Sequence, residues 1–168
     1  MSTNSYDHAW THHEARESYE SRPTPPEGAP NVLVILLDDT GFAELGCYGS
    51  EIETPNIDRL AREGLQFTNF HTTSLCSSSR ACLLTGRNHH PVGMRMLANV
   101  DSGRESGRGR IHPSCGTLAE MLRPIGYNTM AVGKWHLALI EETGPIGPYN
   151  DWPLGKGFER FYGFMEGA

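Results

Sequence analysis

The segment from Cys76 to Arg80 carries the side chains best suited to covalent chemistry in this sequence. It reads Cys-Ser-Ser-Ser-Arg, and the residues from Arg80 to Thr85 are predicted to form a helix that Gly86 stops. A nucleophile just before a helix lies at the positive end of the helix dipole, where unpaired backbone amides bind anions. Arg80 adds a permanent, two-pronged positive charge. The pattern indicates a nucleophile in an anion site, with a small buried cysteine in a Ser-rich loop as the alternative.

The spacing within this segment excludes a phosphate loop of the tyrosine-phosphatase kind. Such a loop requires a cysteine, five residues and then an arginine, which would place the arginine at position 82. That position is Cys82. A plain thiolate nucleophile at Cys76 stays open from the residues alone.

Two adjacent carboxylates, Asp38 and Asp39, follow an uninterrupted apolar run from Val32 to Leu37. Such a run predicts a central strand that is buried on both of its faces. Neighbouring carboxylates at a buried strand end repel each other, which raises their pKa unless a cation neutralises them. Hard divalent ions prefer oxygen ligands, so the pair indicates Ca²⁺ or Mg²⁺, with a solvated turn as the alternative.

A third cluster, Lys134 and His136, follows a predicted strand from Tyr127 to Gly133. In extended backbone, residues i and i+2 face the same side, so the ammonium and the imidazole share one space while Trp135 faces the core. The pair suits binding of an oxyanion and transfer of a proton. A surface lysine beside a hydrogen-bonded histidine is the alternative.

The elements that must position these clusters alternate between strands and helices. Side-chain alternation predicts a further strand from Leu65 to Phe70, and residues 88–116 are predicted to be a long loop. Capping and stop signals predict helices from Thr54 to Gly64 and, through a capping box of Thr117 and Glu120, as far as Pro124 and Gly126. This order is the α/β pattern with a parallel sheet, in which ligands bind beyond the carboxyl ends of the strands.

The composition and charge of the chain indicate which classes of partner and which cellular location to expect. The 168 residues carry a net charge of −6, which argues against a nucleic-acid partner. No run of about 18 apolar residues predicts a membrane span, and the first thirty residues lack a secretory core. With free thiols as the default for its cysteines, we expect a cytoplasmic location. Residues 1–30 are predicted to be an extended polar lead-in that packs through Trp10 and Tyr19, with a disordered tail as the alternative, and residues 31–168 the folded domain.

The motifs, taken in order, resemble the sulfatase family. Cys76 to Gly86, CSSSRACLLTG, resembles the family's first signature, Cys-x-Pro-Ser-Arg followed by Leu-x-Thr-Gly. Gly126 to His136, GYNTMAVGKWH, resembles the second signature. Three further stretches resemble family segments: Pro30 to Gly41, Thr54 to Leu60, and Trp152 to Phe164. The match is nearest to bacterial arylsulfatases of the cytosolic type.

The resemblance implies a fold, a reaction and a metal ion. The fold is an alkaline-phosphatase-like, mostly parallel sheet with flanking helices, of which this chain is the incomplete N-terminal part. The reaction is hydrolysis of a small-molecule sulfate monoester, expected to be an aryl sulfate. A maturation enzyme would convert Cys76 to formylglycine, whose hydrate attacks sulfur. Asp38, Asp39 and residue 76 would bind one Ca²⁺, with Mg²⁺ less expected.

The same resemblance assigns roles to the remaining polar residues and exposes two departures. Arg80 and Lys134 would bind the hydrate and the sulfate, and His136 would position or deprotonate the hydroxyl on residue 76. Ser78 stands where the motif has Pro, a position that the maturation enzyme reads, and the chain stops at Ala168. The rival hypotheses are a phosphonate or phosphate monoester hydrolase of the same superfamily and an inactive, truncated remnant.

Overall fold

The computed structural model describes residues 23–167 of the chain. Most of the predicted lead-in, including Trp10 and Tyr19, lies outside the described residues. The last part of the lead-in, residues 23–25, packs closely against Gly126. A Cβ atom added to Gly126 would overlap the backbone of Thr24. Among the described residues, no helix combines the length and the apolar character that a membrane crossing needs.

Helices and a small parallel sheet form the described part of the chain. The helices are α1 (Pro55–Glu63), α2 (Cys76–Thr85) and α3 (Leu118–Leu122), and the strands are β1 (Met130–Lys134) and β2 (Arg160–Phe164). β1 and β2 pair in parallel, with Lys134 beside Phe164. Short 3-10 turns lie at Phe42–Glu44, Gly46–Tyr48, Arg123–Ile125, Ile140–Glu142 and Leu154–Lys156. The predicted α/β class with a parallel sheet is confirmed.

The predictions for α1 and α3 are confirmed at their ends. Pro55 is the first residue of α1, as its missing N–H and fixed φ favour. At α3, the Thr117 hydroxyl accepts from the Glu120 amide, and the Glu120 carboxylate accepts from the Thr117 amide. α3 stops before Pro124, whose ring would clash with the preceding turn of a continuing helix.

α2 begins at Cys76, four residues before the predicted start at Arg80. Serine disfavours helix interiors because its hydroxyl competes for backbone groups. Here the Ser77 hydroxyl accepts from the Ala98 amide, so it is satisfied by a distant partner instead. The prediction was wrong because this long-range hydrogen bond outweighs local propensity. The predicted stop is confirmed, since Gly86 adopts a left-handed conformation at the helix end.

Two of the predicted strands are wrong. Val32–Leu37 and Leu65–Phe70 form no strand pairing within the described residues, and Leu33 is 84% exposed. A strand that is apolar on both faces needs neighbours and covering layers, which the described part of the chain does not supply. β1 is confirmed but starts at Met130. β2 was missed because it lies in a Gly- and Pro-rich stretch that reads as loop.

The hydrophobic core packs against α2, and most of its buried residues come from the predicted loop 88–116. Its buried members are Ala81, Val92, Met94, Ala98, Ile111, Cys115, Trp135, Leu137 and Ala138. Trp135 packs edge-on against Phe158 at 5.9 Å, and its indole N–H donates to the carbonyl of Asp151 at 2.7 Å. This anchoring fixes the chain immediately after β1, where Lys134 and His136 flank Trp135.

A buried set of charged side chains ties the loop to the segment before β2. Arg110 pairs with Glu142 at 2.9 Å and with Asp151 at 3.6 Å, and Lys156 pairs with Asp151 at 2.8 Å. Burial raises the pKa of Glu142, and the Arg110 guanidinium opposes that shift. Charges out of water need such partners, so the set locks these loops in one arrangement.

We predict that Gly157→Ala destabilises the fold by about 1–3 kcal/mol, because Gly157 has a φ of 91° and an added Cβ would overlap the Glu120 amide nitrogen in α3. Gly144→Ala is the matched control, since a Cβ added there would meet no atom within 4 Å and the backbone lies outside the left-handed region. Urea unfolding of both variants checks this. Equal unfolding free energies in the two variants would contradict it.

Candidate active site

Cys76 is the first residue of α2 and lies where three separate stretches of the chain meet. The backbone reaches it through Leu75 in an extended conformation, with a φ of −130° and a ψ of 141°. The Cys76 Sγ atom lies 3.1 Å from Nδ1 of His136, sixty residues away in sequence. The first amides of a helix lack partners within the helix, so the backbone here can donate to an anion or hydroxyl group.

His136 is held by its backbone in a conformation that non-glycine residues rarely adopt. Its φ is 52°, and its amide donates to the carbonyl of Met165 at 2.9 Å. Residues in this region carry strain of about 1–3 kcal/mol, which a structure retains where the geometry is over-determined. The ring is buried, with Nδ1 toward Cys76 and Nε2 at 2.5 Å from the Asn99 side-chain oxygen.

The surroundings of His136 favour its neutral form. Burial lowers its pKa most, and the positive charges of Lys134 and Arg80 lower it further. Asp38 and Glu166 act in the opposite direction but more weakly. At neutral pH the imidazole is therefore uncharged and has one ring nitrogen free to accept a proton.

Asp38 is bound by two cations from different elements. Its carboxylate accepts from Arg80 Nη2 and from Lys134 Nζ, each at 2.9 Å. These partners hold the pKa of Asp38 below its usual value, with the Lys134 hydrogen bond as the largest cause. The raised pKa expected for an unneutralised pair does not occur at Asp38, because the protein's own lysine and arginine neutralise it.

The Arg80 guanidinium has one N–H donor, on Nε, that bonds to no described residue. One guanidinium nitrogen donates to the backbone carbonyl of Lys134 at 2.6 Å, and another donates to Asp38. Its Nε atom is buried and has no hydrogen-bond partner among the described residues. An unsatisfied buried donor is costly, and such a group commonly binds a water or ligand atom.

Asp39 lines the same pocket as Asp38, Cys76 and Arg80, in a cavity of about 810 Å³. Its φ is 51°, and its side chain is exposed. The described residues contain no group of three or more His, Cys, Asp or Glu side chains arranged to hold a metal. Two carboxylates facing one pocket nevertheless fit a hard cation that completes its coordination with other oxygen ligands.

The structure thus gathers the residues that the sequence singled out. One set of contacts joins Asp38, Arg80 and Lys134, and another joins Cys76 to His136. Asp39 lines the pocket of Asp38, Cys76 and Arg80 without a side-chain bond among the described residues. Asn99, which contacts His136, was missed. It lies in the aperiodic loop 88–116, where no local pattern marks it.

Comparisons with known proteins agree on one family. The sulfatase family model matches residues 30–168. The chain is 46% identical over 136 residues to Arylsulfatase A of Homo sapiens and 34% identical over 141 residues to Arylsulfatase of Klebsiella aerogenes. These alignments cover 80% and 83% of this chain but 25% and 29% of the relatives. The chain therefore spans little more than a quarter of the length of these curated relatives.

A solved structure gives the same picture of the fold. The chain is similar to the crystal structure of Ps i-CgsB with a TM-score of 0.60 and 34% sequence identity. The match covers 77% of this chain and 27% of that one. The described elements therefore correspond to one part of a larger fold.

We predict that His136 makes stability depend on pH. Its pKa is lowered by folding, so between that pKa and about 6.5 the unfolded chain binds more protons and stability falls as pH decreases. Above about 6.5 the contribution is constant. In His136→Gln this part of the pH dependence should disappear. Urea unfolding of both proteins from pH 8 to pH 5 checks it, and parallel curves in that range would refute it.

Proposed function

The chain belongs to the sulfatase family, and on that basis we propose that it carries the nucleophile of a sulfate monoester hydrolase. The observation that supports this most is that Cys76 contacts His136 and Arg80 contacts Lys134, while Cys76 and Arg80 line one pocket. A nucleophile, a neutral base and two cations are the groups that displacement at an anionic ester requires. Aryl sulfates are the proposed substrates, as the names of the relatives suggest.

The proposed nucleophile is residue 76 after its oxidation to formylglycine. The hydrate of that aldehyde would supply one hydroxyl to attack sulfur, breaking the S–O bond so that the aryl alcohol leaves, and a second whose deprotonation would expel sulfate and restore the aldehyde. His136 Nδ1, 3.1 Å from the position of Sγ, accepts the proton from this side chain. Its neutral state at pH 7 makes it competent to do so, because its pKa is lowered.

Lys134 and Arg80 are proposed to bind the sulfate oxygens. Both cations are largely buried, with side chains 7% and 11% exposed, so their charges are weakly screened. The unpartnered Nε of Arg80 offers a further hydrogen bond. Such fixed donors stabilise charge that grows on the oxygens in the transition state.

The ion pairs of Asp38 provide a physical reason for a metal ion. Asp38 occupies Lys134 and Arg80 at 2.9 Å each, and its negative charge would repel a sulfate that approaches them. A Ca²⁺ held by Asp38 and Asp39, with residue 76 as a third proposed ligand, would offset that charge and release both cations for substrate. Mg²⁺ fits less well, because it demands stricter octahedral geometry.

Maturation of Cys76 is proposed to depend on position 78. Ser78 is buried at 1% exposure in the first turn of α2, and its hydroxyl donates to the Met94 carbonyl at 2.8 Å. A maturation enzyme cannot reach a side chain buried in this way, so it must act before α2 docks. Proline is compatible with the first turn of a helix, so Ser78→Pro restores the family motif at the loss of one hydrogen bond.

We predict that the chain, coexpressed with a formylglycine-generating enzyme, hydrolyses an aryl sulfate in proportion to the fraction of residue 76 that is converted. Peptide mass spectrometry across residue 76 gives that fraction, and Ser78→Pro should raise it. Ser77→Ala, at the variable position of the motif, is the control for conversion. Cys76→Ala should lose activity by on the order of 10⁴-fold or more, because it removes the nucleophile.

The same assay separates the rival hypotheses. Faster turnover of an aryl phosphonate than of the aryl sulfate would favour the phosphonate hydrolase. Full conversion of residue 76 without turnover of either ester would favour the inactive remnant. The cytoplasmic location stays a prediction from the sequence.

We predict that Ca²⁺ binding requires both aspartates. Asp38→Asn and Asp39→Asn should each weaken the affinity by about tenfold or more, since each removes an anionic oxygen ligand. Glu141→Gln is the control, because it changes the same charge at an exposed site elsewhere. Calorimetric titration with Ca²⁺ measures the affinities. Equal affinities in all three variants would contradict the assignment.

A further inference from the structure

We infer that Asn99 is a positioning residue that decides which ring nitrogen of His136 carries the proton. Its side-chain oxygen lies 2.5 Å from His136 Nε2, on the opposite side of the ring from Cys76. The other nitrogen, Nδ1, lies 3.1 Å from Cys76 Sγ. Asn99 lies outside every segment that carries the family resemblance, so the sequence motifs give no role to it.

The chemistry of the two hydrogen bonds gives a definite tautomer. A carboxamide oxygen only accepts, so His136 Nε2 must carry the hydrogen that it receives. In a neutral imidazole the other nitrogen then has a free lone pair. That lone pair on Nδ1 faces residue 76, which is the orientation that proton removal from this side chain requires.

The surroundings of the ring leave this choice to Asn99. Among the described residues, the side chains that contact the ring nitrogens are Cys76 at Nδ1 and Asn99 at Nε2. The backbone at Gly167 closes one face of the ring, since an added Cβ would lie 2.6 Å from Cε1 and 3.2 Å from Nδ1.

Asn99 itself is fixed from both sides along the backbone. The amide of Ala98 donates to the buried hydroxyl of Ser77 in α2 at 3.0 Å. Gly109 packs so closely that an added Cβ would lie 2.8 Å from the carbonyl oxygens of both Ala98 and Val100. Backbone that is held in this way restricts where the Asn99 side chain can lie, as a positioning role demands.

Nitrogen-15 NMR of the full chain with labelled histidine tests this directly, because long-range spectra distinguish protonated from bare ring nitrogens. The His136 signal is assigned by its loss in His136→Gln. In the wild type we expect a protonated Nε2 and a bare Nδ1. Asn99→Leu should produce a mixture of tautomers, whereas Asn99→Asp retains an oxygen acceptor and should keep the wild-type pattern. Asn150→Ala, at an exposed asparagine, is the control.

Kinetics of the matured chain provides a second readout, which rests on the proposed sulfatase function. Asn99→Leu should lower kcat for an aryl sulfate by about 10-fold to 100-fold, part of the 10²–10⁴ that a positioned base contributes, with KM changed by less than about twofold. Asn150→Ala should leave both constants unchanged.

The outcomes separate this inference from the proposed function. A wild-type His136 with its proton on Nδ1 would overturn the inference, even if Asn99→Leu did not fold. Unchanged tautomers and kcat in Asn99→Leu would overturn it as well. A tautomer shift in Asn99→Leu without turnover by the matured wild type would support the inference while the proposed function failed.

Discussion

The carboxylate of Asp38 holds the candidate site together, because it joins three stretches that are far apart in sequence. It pairs with Arg80 from α2 and with Lys134 from the end of β1, each at 2.9 Å. Arg80 also donates to the Lys134 carbonyl, so the two cations lie side by side. Two buried cations repel each other, and a single anion between them makes their proximity tolerable. A ligand that displaces Asp38 from these two cations must therefore supply the negative charge that Asp38 provides here.

The residues at and just after the end of β1 divide between core and site, although His136 leaves the extended conformation with a φ of 52°. Trp135 points into the core, where its indole donates to Asp151, while Lys134 and His136 on either side reach Asp38 and Cys76. The position of the core side chain therefore fixes the position of both polar ones. Since α2 packs on the same core through Ala81, that core positions both Cys76 and His136.

Sequence reasoning succeeded where the governing interactions are local. The Thr117–Glu120 capping box and the stop at Gly126 depend on residues a few positions apart, so α3 was predictable. Strand pairing is not local. The apolar run Val32–Leu37 predicted a buried central strand, yet it finds no pairing within the described residues. The hydrophobic pattern specifies what a strand needs, and only the rest of the fold can supply it.

The same contrast between local and long-range interactions decides which parts of the candidate site were predictable. Lys134 and His136 lie at the end of a strand and Cys76 opens a helix, so their places were predictable from general rules of α/β folds. Asp38 and Asp39 follow the run Val32–Leu37, which forms no strand pairing within the described residues. Asn99 and the true start of α2 were not predictable, because both depend on contacts between α2 and loop 88–116.

Position 78 shows how fold and chemistry make separate demands on one residue. In the folded chain, the Ser78 hydroxyl satisfies the carbonyl of Met94, a buried hydrogen bond worth about 1 kcal/mol. A proline there would forgo this bond but would fit the first helical turn. Under the proposed function, recognition by a maturation enzyme would take place before the helix docks and would depend on the conformation of the open segment, which proline restricts and serine does not. Stability and the proposed activation at position 78 would then be decided in different states of the chain, and a residue suited to one state need not suit the other.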